Sequence, residues 1–332
     1  MPVRAWKEAI PFRNDDTEMK PLTAATLKGT WSTLLLPLND SDKIQWSGID
    51  SQLNALFRAE VDGIYINGTA GEFYSQSNEE FLRLARITAA FCEDKQMPFQ
   101  IGASHTHAVD SLRRIEQTRE LNPGAFQVIL PEWTPLTWEE IIYFLKRMIA
   151  AAAPVPLVIY NPPNAQKVLT PQEWEQLVST LDGIIGIKVL GGDTNWHMEM
   201  KPVLTQLSVF VAGIRLASGV IHGYADGSYS NLACLSPLGA VRWGRRISSD
   251  PEDALIQEAK ILKTFETALR PFRGKFSNSA LDKALASAGD WADLSPRVRW
   301  PLSSISVEEV QRISTLFREE LPFLFEEKSV IE

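Results

Sequence analysis

Gly183-Ile184-Ile185-Gly186-Ile187-Lys188 is an apolar run too short for a helix and rich in β-branched residues. That is the pattern of a strand buried in a parallel sheet. Its last residue is a lysine. An amine at the lip of a core is disfavoured in its charged form. An amine of lowered pKa is a nucleophile at neutral pH and forms Schiff bases with carbonyl compounds. Position alone does not distinguish such a lysine from the many solvated ones that follow strands, so the context must come from the rest of the chain.

Outward from this run, short apolar stretches alternate with longer amphipathic ones. The expected strands are 29–36, 63–67, 99–103, 125–130, 157–160, 184–188, 209–213 and 228–232. Between them, Ile49, Leu53, Leu56 and Phe57 share a helical face, as do Phe81, Leu84, Ala85 and Thr88, and also Ile141, Leu145, Met148 and Ile149. Ser77 or Asn78, Thr137, and Thr170 followed by Pro171 read as helix starts. Eight strand–helix units define an α/β chain with a (β/α)8 TIM barrel over residues 28–248. An open doubly wound sheet is the rival. It usually carries a Gly-rich phosphate loop after its first strand, where this chain has Leu36-Pro37-Leu38-Asn39-Asp40. Residues 1–27 read as an N-terminal arm. Residues 249–332 read as a C-terminal helical extension, with helices expected at 254–269, 279–288 and 307–324.

Of the 332 residues, 45% are hydrophobic and 22% charged, which supports a large core. The net charge of −8 argues against a nucleic-acid surface and against an anionic membrane face. Two cysteines, Cys92 in a helical pattern and Cys234 in a strand-like run, have no CxxC or Cys/His spacing. Neither a disulfide framework nor a zinc site is expected. No signal-peptide h-region and no run of about 18 apolar residues is seen. A reducing cytoplasm is the expected location.

In a barrel of this kind the chemistry sits where the strands end. Strand two ends in Asn67-Gly68-Thr69-Ala70-Gly71-Glu72, a Gly-rich turn whose N–H groups can receive an anion. Strand five ends in Tyr160-Asn161-Pro162-Pro163, strand six in Lys188, and strand seven in Gly213 with Arg215 beyond; strand eight carries Tyr229 and Asn231. A lysine to form an imine, a phenol to move protons and a turn to hold a carboxylate make a set suited to 2-keto acids.

Gly68-Thr69-Ala70-Gly71-Glu72, Tyr160-Asn161-Pro162-Pro163 and Gly186-Ile187-Lys188 resemble, in order, the GTTGE, YNxP and GxK motifs of the dihydrodipicolinate synthase and N-acetylneuraminate lyase family. The resemblance runs from about Gly29 to Leu324. It takes in Ala217-Ser218-Gly219, Ala225-Asp226-Gly227 and Arg299-Trp300-Pro301-Leu302. It implies Schiff-base chemistry with no metal or other cofactor, a 2-keto acid substrate with an aldehyde partner, and a homo-oligomer, dimer or tetramer. It assigns the imine to Lys188, proton shuttling to Tyr160 and the hydroxyl that orients Tyr160 to Thr69. Ala70 and Gly71 would receive the keto acid carboxylate, and Gly213 and Tyr229 would line the pyruvyl end.

The chain departs from the family where the partner substrate would sit. Ala70 stands in place of a second Thr, removing a hydroxyl. Trp133, in Pro131-Glu132-Trp133-Thr134-Pro135, replaces a tyrosine that reaches a neighbouring subunit, and an indole donates but cannot relay a proton. Ala165 replaces the synthases' carboxylate-binding Arg. Ile214 and Arg215 replace the lyases' acidic sugar-binding residues, and Arg215 is either a partner for a distal carboxylate or a surface charge. A divergent member, not a true dihydrodipicolinate synthase, is expected. Two rivals stand beside it. One is a 2-keto acid binding barrel without turnover. The other is a metal-dependent hydrolase using His105 and His107, against which Thr106 reads as a helix cap.

Overall fold

Eight parallel strands close into a barrel in chain order: β1 Gly29–Thr33, β2 Gly63–Ile66, β3 Phe99–Gly102, β4 Ala125–Ile129, β5 Leu157–Tyr160, β6 Ile184–Lys188, β7 Ser208–Val211 and β8 Gly227–Tyr229. The computed structural model describes residues 19–229 and 231–326. Around the barrel run α1 Trp46–Arg58, α2 Asn78–Asp94, α3 Ala108–Thr118, α4 Trp138–Ala152, α5 Pro171–Thr180, α6 Thr194–Glu199, α7 Lys201–Leu204, α8 Leu216–Ile221, α9 Asn231–Leu235 and α10 Pro237–Ser249. Three further helices follow: α11 Pro251–Leu269, α12 Asn278–Gly289 and α13 Val307–Glu320.

The helix starts follow from local chemistry. Ser77, Thr137 and Thr170 each accept a hydrogen bond from the third helical N–H, and Glu80, Glu140 and Glu173 reach back to the cap N–H. Each reciprocal pair satisfies two otherwise unpaired donors. Three expectations need correcting. The helix after β3 begins behind His107, which makes no side-chain cap, so Thr106 is not the capping residue. Strand β8 ends at Tyr229, and Asn231, Leu232 and Cys234 belong to α9. The last helix ends at Glu320, and Pro322 starts a separate 3-10 turn.

Strand alternation sorts side chains between two environments. Ile64, Ile66, Ile101, Phe126, Val128, Ile159, Ile187 and Val209 pack outward against the helices. Trp31, Tyr65, Val158, Phe210 and Tyr229 fill the barrel interior. Met19 and the residues to Leu27 belong to the expected arm; the rest of that arm lies outside the described residues. Leu22 and Leu27 pack into the interior cluster from the strands' N-terminal end. The Leu22 N–H donates to Gly124, and the Ser208 hydroxyl donates to the Leu27 carbonyl. A Cβ on Gly186 would lie 2.7 Å from Leu27 Cδ2, so glycine at that position lets this plug seat beneath Lys188. A second core joins α8 to α13 through Trp243, Phe265, Phe317 and their neighbours.

Candidate active site at the carboxyl end of the barrel

Lys188 faces inward because Ile187 faces out. Its strand register sets it level with Tyr160 on β5 and Phe210 on β7. The Nζ lies 4.2 Å from the centre of the Tyr160 ring and 5.3 Å from those of Tyr65 and Tyr229. Three π faces favour a cation, yet removal from water outweighs them. Burial lowers the amine to about 8, with Asp282 and then Cys234 pulling in the opposite direction. Against an exposed lysine near 10.5, this raises the neutral fraction at pH 7 from roughly one in three thousand to about one in ten.

Tyr160 is half-buried, and its hydroxyl is hydrogen-bonded to Thr69. Burial pushes the phenol up to about 12, so it keeps its proton at neutral pH; Asp282 and Glu132 add to the rise and the Thr69 bond opposes it. Asn161 fixes the segment behind it: its amide donates to Lys167 O at 2.8 Å and its carbonyl accepts from Leu169 N at 2.8 Å.

The turn after β2 folds on the left-handed residues Asn67 (φ 58°) and Glu72 (φ 53°). A Cβ on Gly68 would fall 2.6 Å from Tyr65 Cε2, so glycine lets the turn close over the ring. Glu72 N donates to Thr69 O and Phe73 N to Gly68 O, while the N–H groups of Ala70 and Gly71 meet no acceptor among the described residues. Unpaired N–H groups in such a turn can receive an anion. The Ala70 methyl is buried with Leu35 and Ala286, so its side chain belongs to packing.

Of the remaining sequence-predicted residues, Tyr229 stands beside the lysine. Gly213 is buried and opens a 3-10 turn at the end of β7. Tyr229 is inside the barrel, its hydroxyl donating to Gln100 Oε1 at 2.6 Å. Arg215 is exposed and makes no ion pair with a described residue. Trp133 is 92% exposed and forms no part of its own chain's mouth. The His105 and His107 imidazoles lie 3.9 and 3.5 Å from Asp110, and no metal-holding group of three or more His, Cys, Asp or Glu occurs among the described residues.

Sequence reasoning missed two parts of the mouth. Tyr65 reads as an ordinary strand aromatic. Asp282 sits on α12, within Ala280-Leu281-Asp282-Lys283-Ala284-Leu285-Ala286; a charged pair inside an otherwise apolar helix is the only trace it leaves. Lys283 beside it is fully buried and pairs at 2.5 Å with the fully buried Glu72. Glu72 also accepts from Arg299 N at 2.9 Å, and the Arg299 guanidinium holds Glu80 and the carbonyls of Asp42 and Ser75. The Glu72 of the GTTGE-like motif and the late arginine therefore lock the turn after β2 to the C-terminal helices.

Fold and mouth together define a (β/α)8 barrel with its candidate site at the carboxyl end. The sequence profile of the Dihydrodipicolinate synthetase family matches residues 26–217, and the chain belongs to that family. It belongs with it to the general class of lyases and aldolases that the motifs implied. It is similar to the 4-hydroxy-tetrahydrodipicolinate synthase of Ehrlichia canis, with 23% identity over 90% of this chain and 99% of that protein. Among solved structures it resembles YagE of E. coli, crystallised in complex with pyruvate, at a TM-score of 0.77 and 20% identity over 89% of this chain and 98% of that one. The sialic acid aldolase of Ruminococcus gnavus, as its catalytic lysine mutant, gives a TM-score of 0.78 at 19% identity over 92% of this chain and 100% of that one. Identities this low mark a divergent member. No helix among the described residues is long and apolar enough to cross a membrane.

Proposed function

We propose that the protein is a Schiff-base lyase acting on a 2-keto acid. The carrying observation is the Lys188 amine, lowered to about 8 by burial, in register with a protonated Tyr160 on the neighbouring strand. The keto acid carboxylate sits on the Ala70 and Gly71 N–H groups, with Gly213 and Tyr229 at the pyruvyl end. Lys188 adds to the ketone. Tyr160, oriented by Thr69, moves the proton that lets the carbinolamine oxygen leave as water. The resulting iminium draws electrons from the adjacent bond, serving aldol cleavage, condensation or dehydration. An aldehyde partner enters above, where Ala165 supplies no cation and Arg215 lies at the rim. The reading includes a homo-oligomer, with the exposed Trp133 meeting another copy.

Borohydride reduction in the presence of pyruvate tests it. A covalent mass increase mapped to Lys188, absent in Lys188→Ala, is the expected result; no adduct with pyruvate or any other 2-keto acid overturns the reading. The same assay carries a pH dependence. Attack needs the neutral amine, so the initial trapping rate rises with pH and reaches half its maximum near 8 rather than near 10.5. A midpoint near that of free lysine would mean that the amine is not desolvated in the working protein.

A further inference from the structure

Helix α12 lies across the ends of β1 and β2, held by one face. Ser279 hydrogen-bonds Tyr74 Oη at 2.6 Å, Lys283 pairs with Glu72, and Ala286 packs on Leu35 and Ala70. Residues three, four and seven apart share a side of a helix, so Asp282 belongs to this same stripe, bracketed by three anchors. On its other flank α12 packs against α9, which carries the buried Cys234. Asp282 is thereby set against the turn after β2, whose Thr69 bonds the Tyr160 hydroxyl beside Lys188. From there its charge reaches Lys188 on β6, Tyr65 on β2, Tyr74 after β2, Tyr160 on β5 and Cys234 on α9. It makes no hydrogen bond or ion pair with any described residue. Glu72, the nearby acid, is committed to Lys283 and Arg299. Among the described residues Asp282 is the one carboxylate that acts on the Lys188 amine.

We propose that Asp282 is the fixed counter-charge of the cation at Lys188, facing the ammonium in the free protein and the iminium once a keto acid is bound. The inference rests on the Schiff-base reading for its second half only. In that half the Lys188 nitrogen, an ammonium at rest, gives up a proton before it attacks, and a C=N bond then forms while the ketone C=O bond breaks. The oxygen leaves as water with two of the nitrogen's protons, and the positive charge stays on nitrogen. A carboxylate already in place meets the same charge before and after, so no ion has to follow the substrate into the mouth. Its role is to keep the imine protonated, the state in which it withdraws electrons. Asp282 acts through Lys188 and is a positioning residue in the electrostatic sense. Burial holds its own carboxyl up at about 7, opposed by Lys188, so carboxylate and ammonium coexist chiefly between about pH 7 and 8.

Two measurements test this separately from the Schiff-base reading. Competitive acetylation with acetic anhydride across pH, read at Lys188 by peptide mass spectrometry, titrates the amine without any keto acid. Asp282→Asn is expected to lower its midpoint by about one pH unit or more, and Asp282→Glu to retain it near that of the wild type. An unchanged midpoint in Asp282→Asn, or an equal fall in Asp282→Glu, overturns the inference. Pyruvate trapping by borohydride then reads the iminium, and its alkaline fall-off moves to lower pH in Asp282→Asn. Trapping in the wild type with no shift in the variant rejects the iminium half alone. No trapping in either protein rejects the Schiff-base reading and leaves the acetylation titration to decide the ammonium half. Should Asp282→Asn not fold, Asp282→Ser serves in its place.

Discussion

Tyr160→Phe lowers turnover by roughly 10²- to 10⁴-fold, the range for removing a positioned proton carrier, while the affinity for the keto acid changes little. The Tyr160 ring is the nearest of the three tyrosine rings around the lysine amine, its centre 4.2 Å from Nζ. Burial holds the phenol at about 12, and it stays a donor throughout the neutral range. On the proposed reading the keto acid carboxylate rests on the backbone N–H groups of Ala70 and Gly71, which the substitution leaves in place. Thr69→Val, which removes only the orienting hydrogen bond, has the smaller effect of the two. The rate of pyruvate trapping, followed before a physiological substrate is known, reports on the same step. Wild-type trapping kinetics in Tyr160→Phe would show that carbinolamine dehydration draws its proton from elsewhere.

Lys283→Met destabilises the fold by about 3–5 kcal/mol, because it leaves the Glu72 carboxylate buried without a counter-charge. Both side chains are wholly removed from solvent. Lys283 also donates to Arg297 O at 2.5 Å, and Glu72 receives Arg299 N, so one ammonium holds together the turn after β2, helix α12 and the segment around Arg299. Urea unfolding followed by circular dichroism measures the change as a shift in midpoint. The double variant Glu72→Gln/Lys283→Met recovers part of the loss, since an uncharged pair no longer leaves one buried ion alone. A single variant within 1 kcal/mol of wild type would show that water reaches the pair.

The barrel was legible because its strands obey a local rule. Each short apolar run between amphipathic stretches became a parallel strand, and the inward parity of Gly186 and Lys188 follows from Ile187 packing outward. Lys188, Tyr160 and Thr69 could be placed together because barrel topology brings consecutive strand ends to one rim. The failures have equally local causes. After Tyr229 the apolar run Leu232-Ala233-Cys234-Leu235 hid the change from strand to helix, since periodicity does not separate short buried segments of the two kinds. Before α3, Thr106 has the right chemistry for a cap, but the chain turns one residue later, at His107. Asp282 was out of reach for another reason: helix α12 meets the rim only through tertiary packing, and nothing in its own pattern says which face turns toward the lysine. Ala70 was readable as a missing hydroxyl, but not as a methyl packed beneath Ala286.

The leucines that fill the lower end of the barrel have a kinetic consequence. With Leu22 and Leu27 seated in the interior cluster, the barrel is filled beneath Lys188, and whatever bonds to the lysine approaches from the carboxyl end. A second reactant entering first would stand between the amine and its carbonyl. On the proposed Schiff-base reading the expected kinetics are ordered: the keto acid arrives first and departs last, the partner comes and goes above it, and excess partner competes with the keto acid for entry.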